Sequence, residues 1–282
     1  MVAAAGLSSP LRGPVLIAGG SCELGLALGA AMAADGMAVA LTVRDAAGAA
    51  RIRAALPHVM GTPEAAVLRL HARRPERGTV GQDFTTPPAL DGADAEDDTP
   101  ETLPERARAA LGEAPRLFVD LLHSRFECLL AGADPADIDL WAARDIAFRA
   151  RLLRAVSRSM LAARDGRCVF VSSSAAERAA PGQGYYAAAK LAGEALYRAV
   201  GVELAPRGVT ACSLRLGWLE AGRGAPFLQS RAAGAPLPPT GRTVTLAEAV
   251  QTLRFLLSAP ATAINATTLT CDGGFGALKP AC

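Results

Sequence analysis

The apolar run Val15-Leu16-Ile17-Ala18 is followed at once by Gly19-Gly20-Ser21-Cys22-Glu23-Leu24-Gly25. No other feature constrains the fold of this chain as strongly. A four-residue apolar run bounded by Pro14 and a glycine cluster reads as a short strand buried on both faces. The small residues from Leu24 to Ala34 read as a helix stopped near Asp35-Gly36, and Met37 to Val43 reads as a second buried strand. Strand, glycine turn, helix, strand is the βαβ unit of a parallel sheet.

The alternation continues. Helices are expected over Ala46–Leu56, Pro100–Leu111 (with Thr99 as N-cap), Ile138–Ala163, Tyr185–Leu204 and Leu246–Leu257. Strands are expected over Ala66–Leu70, Leu117–Leu122, Cys168–Val171, Val209–Leu216 and Thr267–Cys271. The pattern predicts an α/β fold: a single doubly wound, mostly parallel, Rossmann-like sheet with helices on both faces, in one domain over 1–282. It fails from 72 to 98, where Pro, Gly and acidic residues read as a mobile surface insertion. A Gly/Pro-rich stretch over 218–242 reads as a substrate flap, with Trp218, Leu219, Pro226, Phe227 and Leu228 as an apolar wall.

Composition excludes several classes. With 51% apolar residues the chain can bury a sizeable core and is not a disordered protein. A net charge of +2 argues against nucleic acid as a partner. The Leu24–Ala34 stretch is about half of a membrane span, and no basic flank followed by an apolar run opens the chain, so neither a membrane partner nor a secretory signal is expected. Six scattered cysteines without C-x-x-C spacing, with three histidines, form no zinc pattern, so no metal is expected. A reducing cytoplasm with free thiols fits this usage.

The glycine turn brings backbone N–H groups to the N-terminus of a helix, where a pyrophosphate can bind; a tight turn without ligand is the plainer alternative. After the second strand, Val43-Arg44 places a cation where an acid would hold ribose hydroxyls, which favours the 2′-phosphate of NADP(H) over NAD(H). The sharpest signal is Ser173, Tyr186 and Lys190. Tyr186 and Lys190 are four apart on a predicted helix and share a face. An ammonium beside a phenol favours the phenolate, so the tyrosine can trade a proton near neutral pH. Ser173 closes the preceding strand and can bond the same substrate oxygen. Only two of the 29 basic residues are lysines and only three residues are tyrosines, so an accidental Tyr-x-x-x-Lys arises in roughly 2% of such chains.

With these motifs, from about Val15 to Gly274, the chain resembles the short-chain dehydrogenase/reductase family. The likeness rests on the glycine turn, Val171-Ser-Ser-Ser174, Pro181-Gly182-Gln183 before Tyr186-Ala-Ala-Ala-Lys190, and Thr270-Cys271-Asp272-Gly273-Gly274. It implies Tyr186 as acid/base, Lys190 on the nicotinamide ribose, and Ser173 on the substrate carbonyl. It also implies cofactor contacts from Gly19, Ser21, Cys22, Leu24, Gly25, Arg44, His123 and Gly217, and assembly as a homodimer or homotetramer. Four positions depart from the family pattern. Glu23 stands at the middle glycine of the turn. Leu121-Leu122-His123-Ser124 replaces Asn-Asn-Ala-Gly. Asp145 stands at the asparagine of a proton relay, and Leu216-Gly217 replaces Pro-Gly. Enoyl-acyl-carrier-protein reductases share the missing glycine and the His-Ser, but their tyrosine precedes the lysine by seven positions, and here that residue is Gln183. His123 is either a cofactor-loop residue or a strand-end polar residue. The expected activity is NADPH-dependent reduction of a ketone or 3-oxoacyl carbonyl, free or thioester-bound, with Asp145 passing protons through water. A non-catalytic binding protein and an enoyl-thioester reductase are the alternatives.

Overall fold

The computed structural model describes residues 13–60, 62, 64–70, 98–123, 126–222, 224, 228 and 237–278. Nearly all of the 72–98 insertion and much of the 218–242 flap, including Pro226 and Phe227, lie outside the described residues. Seven strands form one sheet: β1 (Val15–Ala18), β2 (Val39–Val43), β3 (Ala65–Arg69), β4 (Leu117–Asp120), β5 (Gly166–Ser173), β6 (Val209–Leu216) and β7 (Thr268–Cys271). Their order is β3-β2-β1-β4-β5-β6-β7, and every pairing is parallel. Strand order reverses between β1 and β4, and it is at such a switch point that parallel sheets bind ligands.

The helices are α1 (Glu23–Ala34), α2 (Ala46–Ala55), α3 (Pro57–Met60), α4 (Leu103–Leu111), α5 (Pro135–Trp141), α6 (Phe148–Ala163), α7 (Gly184–Leu204) and α8 (Leu246–Leu256). Two apolar clusters cover the two faces of the sheet. One joins α1 and α8 through Leu24, Leu28, Val250 and Leu253; the other joins α4, α6 and α7 through Leu103, Leu152, Val156 and Tyr197. The predicted doubly wound class is therefore the observed one.

Three local expectations are corrected. The predicted Ile138–Ala163 helix begins earlier, where the Asp134 carboxylate accepts from Ala136 N at 2.8 Å, and it is interrupted by a π-helical turn over Ala142–Ala147. The turn contains Asp145, and its end is marked by the Phe148 N–H reaching back five residues to Ala143. Thr99 is not the cap of α4: the helix starts at Leu103, and the Thr99 hydroxyl contacts that of Thr102 at 3.4 Å instead. Met37 lies outside β2, because its N–H closes the turn onto the Met32 carbonyl at 3.1 Å.

Two features set the depth of the helices over the sheet. Gly193 of α7 lies so close to Phe170 of β5 that a Cβ would overlap the ring. Arg167, buried in β5, donates to the Leu256 carbonyl at the C-terminus of α8 at 2.5 Å and to Thr210 Oγ1 at 3.0 Å. A guanidinium there complements the negative end of the helix dipole.

Two predictions follow from this packing. Gly193→Ala gains about 1 kcal/mol of helix propensity, yet its methyl must displace a core ring, an overpacking cost of about 1–3 kcal/mol. The variant should unfold at lower denaturant than the parent; an equal or higher midpoint contradicts the contact. At the start of α8, Thr245 and Glu248 form a capping box, and the Arg242 guanidinium, with help from Thr245, holds the Glu248 carboxyl down to about 2. Its folded value lies below the ordinary 4.5, so its contribution is complete above that pH and is lost as pH falls toward 2. Melting curves of Glu248→Gln should lack this part of the acid dependence; an unchanged profile contradicts it.

Candidate active site

The site is built along the C-terminal edge of the sheet. At the end of β1, Gly19 has φ +82°, in the region that favours glycine, and its N–H donates to Thr42 Oγ1 at 3.0 Å. A Cβ on Gly20 would stand 2.7 Å from the Leu41 side chain, and one on Gly25 would stand 2.8 Å from the Gly20 carbonyl oxygen. These glycines let the turn fold tightly beneath the N-terminus of α1. Cys22 caps α1, its sulfur accepting from Gly25 N at 3.3 Å. Burial pushes the Cys22 thiol up, so at neutral pH the cap is uncharged. Glu23 is the first helical residue and is exposed, so its carboxylate is solvated rather than enclosed in the turn. The glycine cradle, the neutral cap and the N-terminus of α1 together fit a pyrophosphate.

Beyond β2, Arg44 is exposed and lies 3.5 Å from Asp45. Asp45 is committed elsewhere. Its carboxylate caps α2, accepting from Gly48 N at 2.8 Å, and that bond, the first of several causes, holds its pKa below the ordinary value. The structure adds a residue that the sequence reading missed: Arg51 of α2 reaches the Ser21 carbonyl of the glycine turn at 3.4 Å. Arg51 therefore stands at Ser21, while Arg44 lies at the end of β2 beside Asp45. One arginine among 27 gave no signal of its own, and only the turn of α2 brings it here.

Ser173 ends β5 and its Oγ accepts from Ala175 N at 3.2 Å, which holds the strand end. Its neighbour Ser172 is buried and donates to Glu194 of α7 at 2.6 Å; Arg215 of β6 grips the same carboxylate at 2.7 Å through two nitrogens. This network fixes α7 against β5. One turn earlier on α7, Lys190 is buried. Its ammonium donates to Val171 O at 2.7 Å and to Leu122 O at 3.2 Å and lies 5.8 Å from the centre of the Tyr186 ring. Tyr186 is half-buried, and its chain neighbour Tyr185 packs against Phe126 and Trp141. The structure thus brings Tyr186 and Lys190 together above the end of β5 that carries Ser173.

His123 is half-buried just beyond β4. Gly217 follows β6, where a Cβ would stand 2.7 Å from Asp272 Cα, so close approach to the loop after β7 already accounts for this glycine. Asp145 lies in the π turn, half-buried, and its backbone carbonyl accepts from Arg149 Nη1 at 2.7 Å.

Sequence reading also missed Asp120 and Arg149. Asp120 ends β4 and is 0% exposed; Arg149 of α6 is 3% exposed, and they pair at 3.0 Å. Asp120 Oδ1 accepts from Leu122 N at 2.9 Å, and Oδ2 accepts from the Tyr197 hydroxyl at 3.3 Å. Burial first, and the Asp120 charge next, hold Tyr197 well above the ordinary phenol value, so it stays a neutral donor. Removing one member of so buried a pair typically costs about 3–5 kcal/mol. No helix among the described residues is long and apolar enough to cross a membrane, and none of their His, Cys, Asp and Glu groups forms a metal cluster.

The chain is similar to known proteins in sequence and in fold. A family model described as enoyl-(acyl carrier protein) reductase matches residues 136–276, half of the chain. A 3-oxoacyl-[acyl-carrier-protein] reductase from Synechocystis sp. is 35% identical over 127 residues, covering 43% of this chain and 49% of that protein; the match spans about half the relative's length. Among solved structures, a short chain dehydrogenase/reductase family protein superposes with TM-score 0.75 at 24% identity over 95% of this chain and 100% of its own. The gluconate 5-dehydrogenase of Burkholderia cenocepacia, solved with NADP and tartrate, gives 0.76 at 22% identity over 95% of this chain and 96% of its own. The family match over α5 to the loop after β7, joined to the glycine turn and the Ser/Tyr/Lys edge, places the chain in the short-chain dehydrogenase/reductase family.

Proposed function

We propose that this chain is an NADPH-dependent carbonyl reductase acting on a ketone or 3-oxoacyl group, free or carried as a thioester. The observation that carries the reading is the Lys190 ammonium, buried and held by two strand-end carbonyls at 5.8 Å from the Tyr186 ring. The similarity to a 3-oxoacyl reductase supports the substrate class.

A bound nicotinamide dinucleotide would supply the hydride. Ser173, fixed at the end of β5, donates its hydroxyl proton to the substrate oxygen and orients the carbonyl. Tyr186 holds the proton that the nascent alkoxide takes. The Lys190 ammonium stabilises the phenolate that remains. Phe126 and Trp141, packed on Tyr185, the residue before Tyr186, would offer apolar surface to an acyl chain. The π turn keeps Asp145 near this edge, and its side chain returns a proton to the site through water.

The glycine turn and the N-terminus of α1 would hold the pyrophosphate. Arg51, which reaches Ser21, and Arg44, exposed at the end of β2, would meet a 2′-phosphate, while Asp45, occupied as the α2 cap, is not available to ribose hydroxyls in the manner of an NAD site. This favours NADP(H) over NAD(H).

Steady-state oxidation of NADPH with an acetoacetyl thioester tests the chemistry. Tyr186→Phe should lower kcat by about 10²–10⁴-fold, the span of general acid catalysis; near-parent turnover contradicts the mechanism. A crotonyl thioester should be the poorer substrate, and preference for it points instead to enoyl reduction. For the cofactor, Arg44→Ala with Arg51→Ala should weaken NADPH by about tenfold or more, as loss of charged hydrogen bonds implies, and leave NADH unchanged. Equal effects on both cofactors contradict the 2′-phosphate assignment.

A further inference from the structure

We propose that Arg149 is the positioning residue of the active site, setting the Lys190 ammonium and the Asp145 turn through three simultaneous hydrogen bonds. The proposal rests on the reading of Tyr186 and Lys190 as the proton-transfer pair. Arg149 donates from Nε to Asp120 Oδ2 at 3.0 Å, from Nη1 to Asp145 O at 2.7 Å and from Nη2 to Leu122 O at 2.8 Å. Its three acceptors lie on two elements and one strand end. Asp120 closes β4, Leu122 is the second residue beyond it, and Asp145 lies in the π turn before α6. The planar fork of a guanidinium can span such a set, whereas an ammonium is a point charge that cannot.

The Leu122 carbonyl is the link to the chemistry. It accepts from Arg149 and also from Lys190 Nζ at 3.2 Å. Its own N–H is tied back to Asp120 Oδ1 at 2.9 Å. The residue whose carbonyl receives Lys190 is therefore held on both sides by the Asp120–Arg149 pair. Both cations also lie over the Phe170 ring, Arg149 Cζ at 4.8 Å and Lys190 Nζ at 4.9 Å from its centroid. Such contacts add electrostatic attraction from the ring face. Tyr197 closes the group from α7, its hydroxyl on Asp120 and its ring stacked on Phe170 at 5.2 Å. Without Arg149 the Leu122 peptide is released, one acceptor of Lys190 shifts, and the distance from the ammonium to the Tyr186 ring is no longer fixed.

Arg149→Met alone leaves Asp120 as an uncompensated buried charge, so the decisive variant is Asp120→Asn with Arg149→Met. It removes one positive and one negative charge together and leaves the net charge at the site unchanged. Asparagine can still accept from Leu122 N through Oδ1, and its Nδ2 can donate to the Tyr197 hydroxyl, which then acts as the acceptor. Arg149→Lys is the second variant: it keeps the charge beside Asp120 and loses the three-way span. The readout is the ultraviolet titration of the protein without cofactor. The chain has three tyrosines, and subtraction of the Tyr186→Phe curve isolates the step of Tyr186.

In both variants the Tyr186 step should move to higher pH, while kcat for the acetoacetyl thioester falls about tenfold to a hundredfold, as for a misplaced catalytic group, with KM for that substrate within about twofold of the parent. A Tyr186 step and a kcat at parent values in either folded variant overturn the proposal and leave the pair a purely structural one. If the parent itself oxidises no NADPH, the proposed function fails, and the titration, which needs no cofactor, still decides whether Arg149 positions Lys190.

Discussion

A carboxylate at the end of a fully buried strand must be paired, and the way this chain pairs Asp120 organises the edge of the sheet around it. Desolvating a charge costs several kcal/mol unless an opposite charge and further hydrogen bonds compensate. Asp120 takes an ion pair from Arg149, an N–H from Leu122 and a hydroxyl from Tyr197. These partners come from α6, from the segment after β4 and from α7. One buried charge thereby fixes how the two helices that carry Asp145, Tyr186 and Lys190 meet the sheet. Arg167, the other buried arginine among the described residues, is satisfied differently, by the carbonyl end of α8 and the Thr210 hydroxyl. The two show how an arginine-rich chain uses guanidinium groups as internal braces.

The fold was legible because each strand of a doubly wound sheet is buried on both faces and reads as an unbroken apolar run. Val15–Ala18 and Val39–Val43 are of this kind, and their burial is complete. The candidate site was legible where spacing alone carries geometry, as with Tyr186 and Lys190 one helical turn apart. It was less legible where partners are distant in sequence. Asp120 interrupts the apolar run Leu117–Leu122, and Arg149 shares a helical stripe with Leu152, Leu153 and Val156. Each is a charge where the pattern demands an apolar residue, and together they predict a buried pair. Arg51 had no such signal, because nothing in its spacing marks it among so many arginines. The π turn left no mark in the sequence either, since its residues fit an α-helix as well.

The departures from the family pattern acquire physical content in the same way. Glu23 in place of a glycine does not fill the turn, because it faces solvent as the first residue of α1. The dense packing that the turn requires is carried by Gly20 and by Gly25, the last glycine of the pattern. Where the family pattern has Asn-Asn-Ala-Gly this chain has residues that begin at Leu121, and the Asp120–Arg149 ion pair anchors the segment through Leu122. The Tyr186–Lys190 pair keeps the family spacing.

The central claim is that this edge accepts a phosphorylated nicotinamide dinucleotide despite Glu23. Fluorescence titration of the full chain with NADPH and, in parallel, with NADH tests it most directly. NADPH should bind saturably and more tightly than NADH, with binding that weakens as salt screens the exposed arginines. Absence of saturable binding, or equal affinity for the two cofactors, would contradict it.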